Sequence, residues 1–210
     1  MAHPLLARNG LYAITDGPRQ DLVDACAAAI EGGAVLLQYR DKTKDHARRL
    51  SEARALAALC ARHRIGLIVN DDVELAAASG AVGVHLGEDD ATIEIARARL
   101  GAEAIIGVSC HDSLDRARRL ASAGADYLAF GAFFASSTKP HARAATSGLL
   151  LDAKALGLPL VAIGGITPQN GAALVDAGAN HLAVISAVFG ARDIRGAARS
   201  FAALFERASS

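Results

Sequence analysis

Short apolar runs, each followed by a charged amphipathic stretch, recur along the whole chain, and this alternation constrains the fold more than any other feature. The runs fall at 11–15, 34–39, 66–69, 82–86, 104–108, 127–130, 160–163 and 181–185. Each has the length and composition of a strand covered on both faces. Helical patterns fill the gaps, as at 45–61, 92–100, 113–123 and 167–177. The last opens Thr-Pro-Gln-Asn, with Thr167 as N-cap and Pro168 in the first helical position. Gly33-Ala34, Gly80-Ala81, Gly124-Ala125 and Gly178-Ala179 punctuate the pattern at intervals of about 45 residues. Each reads as a left-handed glycine that closes a helix and leads into a strand. Eight such units in 210 residues, with no linker, predict an α/β fold of one domain over 1–210, a single (β/α)8 TIM barrel. An open doubly wound sheet is the alternative, but no GxGxxG follows the first strand.

Composition narrows the ligands. Lys+Arg and Asp+Glu each count 22, so no global field draws nucleic acid or an anionic membrane. No run approaches the roughly 18 apolar residues of a membrane span, and the opening MAHPLLARNG lacks the apolar core of a signal peptide. Cys26, Cys60 and Cys110 are odd in number and widely spaced. That argues against a disulfide framework or a zinc knuckle and fits a reducing cytoplasm. The expected partners are small molecules held at a local site, and a homo-oligomer is compatible with the sequence.

In a barrel, chemistry sits where strands end and helices have not begun. Polar residues crowd those positions here: Gln38-Tyr39-Arg40-Asp41-Lys42, Asn70-Asp71-Asp72, Gly87-Glu88-Asp89-Asp90, Ser109-Cys110-His111, Gly164-Gly165 and Ser186-Ala187. Gln38, Arg40 and Lys42 alternate onto one side of the second strand end. Two cations so placed repel unless they share an anion, and a diphosphate suits them better than surface pairing with Asp41 and Asp45. Asp71 and Asp90 end adjacent strands. Two carboxylates with room left for water and substrate oxygens suit Mg2+, while zinc lacks its His/Cys cluster. Asp72, Glu88 and Asp89 read equally well as solvated charges or helix caps. Gly164-Gly165 and Ile185-Ser186 follow the last two strands, where barrels commonly hold phosphate.

Two tempting readings fail on geometry. Cys110 and His111 are neighbours on a strand end and point to opposite sides, so a nucleophilic dyad is disfavoured. Within the fourth strand, His85 reads as a hydrogen-bonded core residue and not as a base. The segment 132–147 is long for a loop in so compact a chain and has the character of a lid or binding loop. It carries Ser136, Ser137, Thr138 and Lys139.

The stretches "LQYRDK", "LIVNDD", "GVHLGEDD", "GVSCH", "FFASSTK", "AIGGI" and "VISAV", in that order, resemble the thiamine phosphate synthase family nearly end to end. The resemblance implies a TIM barrel that joins an aminopyrimidine methyl diphosphate to a thiazole phosphate. Pyrophosphate would be released with Mg2+ present, and CO2 as well when the thiazole is carboxylated. It implies that Gln38, Arg40, Lys42, Asn70, Ser109 and Lys139 hold the pyrimidine diphosphate, with Tyr39 and Asp41 in the same run. Asp71 and Asp90 would hold the metal. Ser136, Ser137 and Thr138 would touch the thiazole substrate, whose phosphate would rest on Gly165, Ile185 and Ser186. Arg40, Lys42 and Lys139 would stabilise the leaving group. Gly131-Ala132 stands where family members often have Gly-Pro, and Ser136 where they have Thr. A thiazole tautomerase or a phosphate sensor on the same fold would need neither the cation comb nor the carboxylate pair.

Overall fold

The computed structural model describes residues 3–135 and 145–207. Its strands are β1 (Gly10–Ile14), β2 (Ala34–Tyr39), β3 (Gly66–Asn70), β4 (Gly83–Leu86), β5 (Ile105–His111), β6 (Tyr127–Phe130), β7 (Leu160–Ile163) and β8 (His181–Val184). All pair in parallel with their sequence neighbours, and β8 returns to β1 with Gly10 opposite His181, which closes the barrel. The expected TIM barrel is therefore the fold.

The connecting helices are α1 (Leu22–Glu31), α2 (His46–His63), α3 (Val73–Ser79), α4 (Ile93–Leu100), α5 (Leu114–Ser122), α6 (Ser147–Ala153), α7 (Pro168–Asp176), α8 (Ser186–Phe189) and α9 (Ile194–Arg207). Their starts follow side-chain chemistry: Asp45, Asp72, Thr92 and Ser113 each accept from a backbone N–H one turn on. At α7 the Asn170 amide oxygen accepts from the Thr167 N–H at 2.8 Å, so the expected N-cap stands. The four repeat glycines, Gly33, Gly80, Gly124 and Gly178, all have φ between 81° and 107°. Only glycine enters that region without a Cβ clash, which is why the repeat is legible.

Apolar packing divides into two layers. Outside the sheet, Leu11, Leu37, Leu67, Val84, Ile106 and Leu128 pack against the helices. Inside it, Tyr12, Leu36, Ile68, Ile105, Tyr127 and Val161 fill the barrel, with Leu6 from the 3-10 turn Pro4–Leu6. One difference from the sequence expectation lies in β5, which runs on through Ser109, Cys110 and His111. Cys110 continues the outer apolar layer, and a register shift between Ser109 and His111 against β6 absorbs the irregularity. No helix among the described residues is long and apolar enough to cross a membrane.

His181, at the seam, is fully buried and its Nε2 lies 3.2 Å from the Arg8 carbonyl oxygen, while Nδ1 has no partner among the described residues. Burial pulls its pKa from 6.5 down to about 4, although the Arg8 bond works the other way. The unfolded chain takes up this proton first, so the contribution is complete above the unfolded pKa and is lost as pH falls toward 4. One such site removes about 3 kcal/mol by pH 4. His181→Asn should flatten the acid limb of the stability curve by that amount; denaturant melts showing an unchanged limb would reject the assignment.

Candidate active site

β2 delivers its polar end in strict alternation. Gln38 points into the barrel, where only 2% of its surface is exposed and its Nε2 donates to the Tyr12 hydroxyl at 2.8 Å. Tyr39 points the other way, under α2, and its hydroxyl donates to Glu52 at 2.6 Å. Asp41 is buried on that side too. Its carboxylate meets Arg48 at 2.7 Å and accepts from the Thr43 N–H at 2.7 Å. Burial alone would raise the Asp41 pKa, but the Thr43 and Arg48 bonds outweigh it and hold the group below its ordinary value. The side chains of Tyr39 and Asp41 thus face away from the rim and brace the strand end against α2. Period two places them opposite Gln38 and Arg40.

Arg40 is fixed through its backbone. Its N–H donates to Thr15 Oγ1 at 2.8 Å, and that hydroxyl donates back to the Arg40 carbonyl at 3.1 Å. Thr15 ends the first apolar run and is fully buried. Among the described residues the Arg40 side chain forms no ion pair, whereas Lys42 Nζ lies 3.8 Å from Asp71 Oδ2.

Asp71 takes a left-handed backbone conformation, with φ of 65°, and its N–H donates to the His85 carbonyl at 2.8 Å. Its side chain meets that of Asp90. Burial first, then the hydrogen bond and charge of Asp90, raise the Asp71 pKa to about 6 against the pull of Lys42 and Arg40. Carboxylates this close require a shared proton or a shared cation. Asp90 is aimed by the Gly87 N–H, which donates to its Oδ2, and a Cβ at Gly87 would come within 2.7 Å of that oxygen. Two carboxylates with open positions between and around them fit a hexacoordinate hard cation that keeps water or substrate oxygens. Asp72 is the α3 cap and pairs with Arg49, and Glu88 faces His111 and Arg116. Asp72 therefore follows the cap reading and Glu88 the solvated-charge reading.

Asn70, the last residue of β3, sits beside Asp71 at the rim. Ser109 is reached from below by His85, with Nε2 to Oγ at 2.9 Å. Cys110 is buried, its thiol pushed up to about 12 by burial, and His111 is exposed beside Glu88. No dyad forms.

Gly164 and Gly165 are both left-handed, with φ of 106° and 60°. Side chains there would strike Ala132 and the carbonyl oxygens of Phe134 and Ala135, so the glycines also let the first residues after β6 cross the end of β7. Ile185 caps the short α8, and Ser186 is exposed at its first position. Ser136, Ser137, Thr138 and Lys139 lie outside the described residues.

A rim of this kind, with cations and paired carboxylates at one end of a barrel, agrees with the comparison to known proteins. The family model described as thiamine monophosphate synthase matches residues 11–188. This chain belongs to the thiamine monophosphate synthase family. The thiamine-phosphate synthase of Nitrosococcus oceani is 53% identical over 196 residues, covering 91% of this chain and 90% of that protein. The thiamine-phosphate synthase of Chromobacterium violaceum is 54% identical, covering 93% and 96%. Among solved structures, a thiamine phosphate pyrophosphorylase from Pyrococcus furiosus superposes with a TM-score of 0.88 at 33% identity, covering 98% of this chain and all of that one. In this member of the thiamine monophosphate synthase family, sequence reasoning missed Tyr12, Thr15 and Tyr127. A hydroxyl inside an otherwise apolar strand was the available signal.

The bracing role of Tyr39 has a direct check. Tyr39→Phe loses the bond to Glu52 and should cost about 1–2 kcal/mol of stability. The KM for a diphosphate substrate should stay within about twofold of wild type, since the lost bond is not at the rim. A large KM change with unaltered melting would return Tyr39 to the binding site.

Proposed function

We infer that this protein is a thiamine phosphate synthase, a transferase that joins an aminopyrimidine methyl diphosphate to a thiazole phosphate and releases pyrophosphate, with CO2 lost as well when the thiazole is carboxylated. The observation that carries the substrate reading is the convergence of Arg40 and Lys42 with Asp71 and Asp90 at one rim. That arrangement suits a polyanion bound together with a divalent cation.

We assign Gln38, Arg40, Lys42, Asn70 and Ser109 to the pyrimidine diphosphate, and Lys139 with them on the family resemblance alone. Asp71 and Asp90 would hold Mg2+, which when bound would supply positive charge against the diphosphate. The thiazole phosphate goes to the ends of β7 and β8, at Gly165, Ile185 and Ser186. Ser136, Ser137 and Thr138 keep their thiazole assignment from the resemblance.

The chemistry then follows from charge. The bond between the pyrimidine methylene and the diphosphate oxygen breaks, and its electron pair leaves with pyrophosphate. Arg40 and Lys42 stabilise that growing charge. The electron-rich aminopyrimidine spreads the positive charge left on the methylene. The thiazole nitrogen, oriented by its phosphate anchor, donates its lone pair to form the new C–N bond. No protein nucleophile takes part, consistent with the dispersed Cys110 and His111. The protein mixed with both substrates should yield pyrophosphate and thiamine phosphate in equal amounts, and pyrophosphate without thiamine phosphate would reject the activity.

Arg40→Ala should weaken pyrimidine diphosphate binding by about 1.5–3 kcal/mol, the scale of a charge-assisted bond, and leave thiazole phosphate almost untouched. Calorimetry with equal losses for both ligands would mean that the two subsites are misplaced. Asp90→Asn should raise the Mg2+ concentration needed for half-maximal rate with little change in melting temperature. A wild-type metal titration by that variant would remove Asp90 from the metal site.

A further inference from the structure

Below the rim, five polar side chains from five strands form one continuous chain across a barrel interior that is otherwise apolar. Gln38 Nε2 donates to the Tyr12 hydroxyl at 2.8 Å, and the Tyr12 and Tyr127 hydroxyls are 2.9 Å apart. The Tyr127 hydroxyl lies 2.9 Å from His85 Nδ1, and His85 Nε2 lies 2.9 Å from Ser109 Oγ. The packing is arranged around this path. The Tyr127 ring stacks on His85 with centroids 5.6 Å apart, and stands edge-on to Tyr12. Gly107, which pairs with both His85 and Tyr127, leaves the space that the Tyr127 phenol occupies: a Cβ there would come within 2.3 Å of the hydroxyl oxygen. So costly a polar chain inside a core needs every member satisfied.

The proton count gives the chain a direction. Each phenol has one hydrogen to donate. Tyr12 accepts from Gln38, and its own hydrogen has only the Tyr127 oxygen to go to among the described residues. Tyr12 therefore donates to Tyr127, and the Tyr127 hydrogen goes on to His85 Nδ1. A His85 Nδ1 that receives the Tyr127 hydrogen carries none of its own. A neutral imidazole that accepts at Nδ1 carries its proton at Nε2 and donates it to Ser109. The Ser109 hydrogen is left to point away from the protein. At the other end, the Gln38 amide oxygen has no partner among the described residues and remains an acceptor.

We propose that Tyr12, Tyr127 and His85 are positioning residues: they form a one-way hydrogen-bond relay that fixes Ser109 as a donor and the Gln38 amide as an acceptor, a matched pair that reads the aminopyrimidine ring. The proposal rests on the assignment of Gln38 and Ser109 to the pyrimidine substrate. A ring nitrogen accepts from Ser109 and the exocyclic amine donates to Gln38. The diphosphate is held separately, by Arg40 and Lys42. Ring selection and anion binding are therefore carried by different residues. An analogue bearing a carbonyl where the amine stands would face the Gln38 oxygen with another acceptor and be refused.

Tyr127→Phe keeps the ring and breaks the relay in its middle. It should raise the KM for the aminopyrimidine diphosphate about tenfold, the scale of one neutral hydrogen bond. Competitive inhibition by inorganic pyrophosphate and the KM for thiazole phosphate should not change. Ser109→Ala should lose a similar factor, and the double variant should be no worse than Ser109→Ala alone, because Tyr127 acts through Ser109. Multiplicative losses in the double variant, or weakened pyrophosphate inhibition in Tyr127→Phe, would make Tyr127 a structural residue and overturn the relay. Nitrogen NMR of His85 in the wild-type protein without ligand should show the Nε2–H tautomer, and an Nδ1–H tautomer would reverse the direction and refute the proposal. That measurement needs no substrate, so it separates failure of the relay from failure of the assigned activity.

Discussion

The pairing of β8 with β1 is the contact on which the rest depends. Until Gly10 meets His181, the eight strands leave two open edges and a sheet face without a partner layer. Closure turns alternate residues of every strand toward a common axis, in a space too narrow for more than a few side chains per level. What a strand carries at one position is thereby forced against what the others carry at the same height. The lower levels hold Leu6, Leu36, Ile68 and Ile105. The upper ones bring Gln38, His85, Ser109 and the two phenols within reach of one another, and above them stand Arg40, Lys42, Asp71 and Asp90.

The gradient from apolar to charged along the axis also divides the work of the site. Backbone devices place the charges: Thr15 brackets Arg40, the left-handed turn at Asp71 swings its carboxylate toward Asp90, and the Gly87 N–H aims Asp90. Outward-facing partners stiffen the same strand ends from behind, as Tyr39 and Asp41 do through Glu52 and Arg48. A rim charge held in this way is oriented before a ligand arrives, which is the condition under which electrostatic stabilisation requires little reorganisation.

Much of this was legible in the chain itself. Strands covered on both faces must be uninterrupted apolar runs, and glycines mark four of the turns from helix to strand, so eight strands and their order could be read with no spatial information. The alternation of Gln38, Arg40 and Lys42 was legible for the same reason. The polar run 38–42 looks like one surface, but period two divides it, and the side chains of Tyr39 and Asp41 turn toward α2. β5 was cut short because Ser109 and His111 look like loop residues, whereas Cys110 between them belongs to the outer apolar layer. Tyr12 and Tyr127 are 115 residues apart in sequence, and Gln38 and Tyr12 are 26 apart. No local periodicity encodes which hydroxyl another will meet across a barrel. That choice is made by closure and by the empty position at Gly107.

The left-handed backbone at Asp71 bears on how such a protein can change. Its φ of 65° would suit glycine, and its carboxylate sits against a like charge. Both features oppose the folded state, at a scale of order 1–3 kcal/mol for the strained conformation. Substitution by glycine would relieve both at once. Selection for heat resistance alone would therefore press on this residue and would dismantle the carboxylate pair in the process. Breeding a hardier variant means finding stability elsewhere, in the helices and their caps, while this one unfavourable turn is left in place.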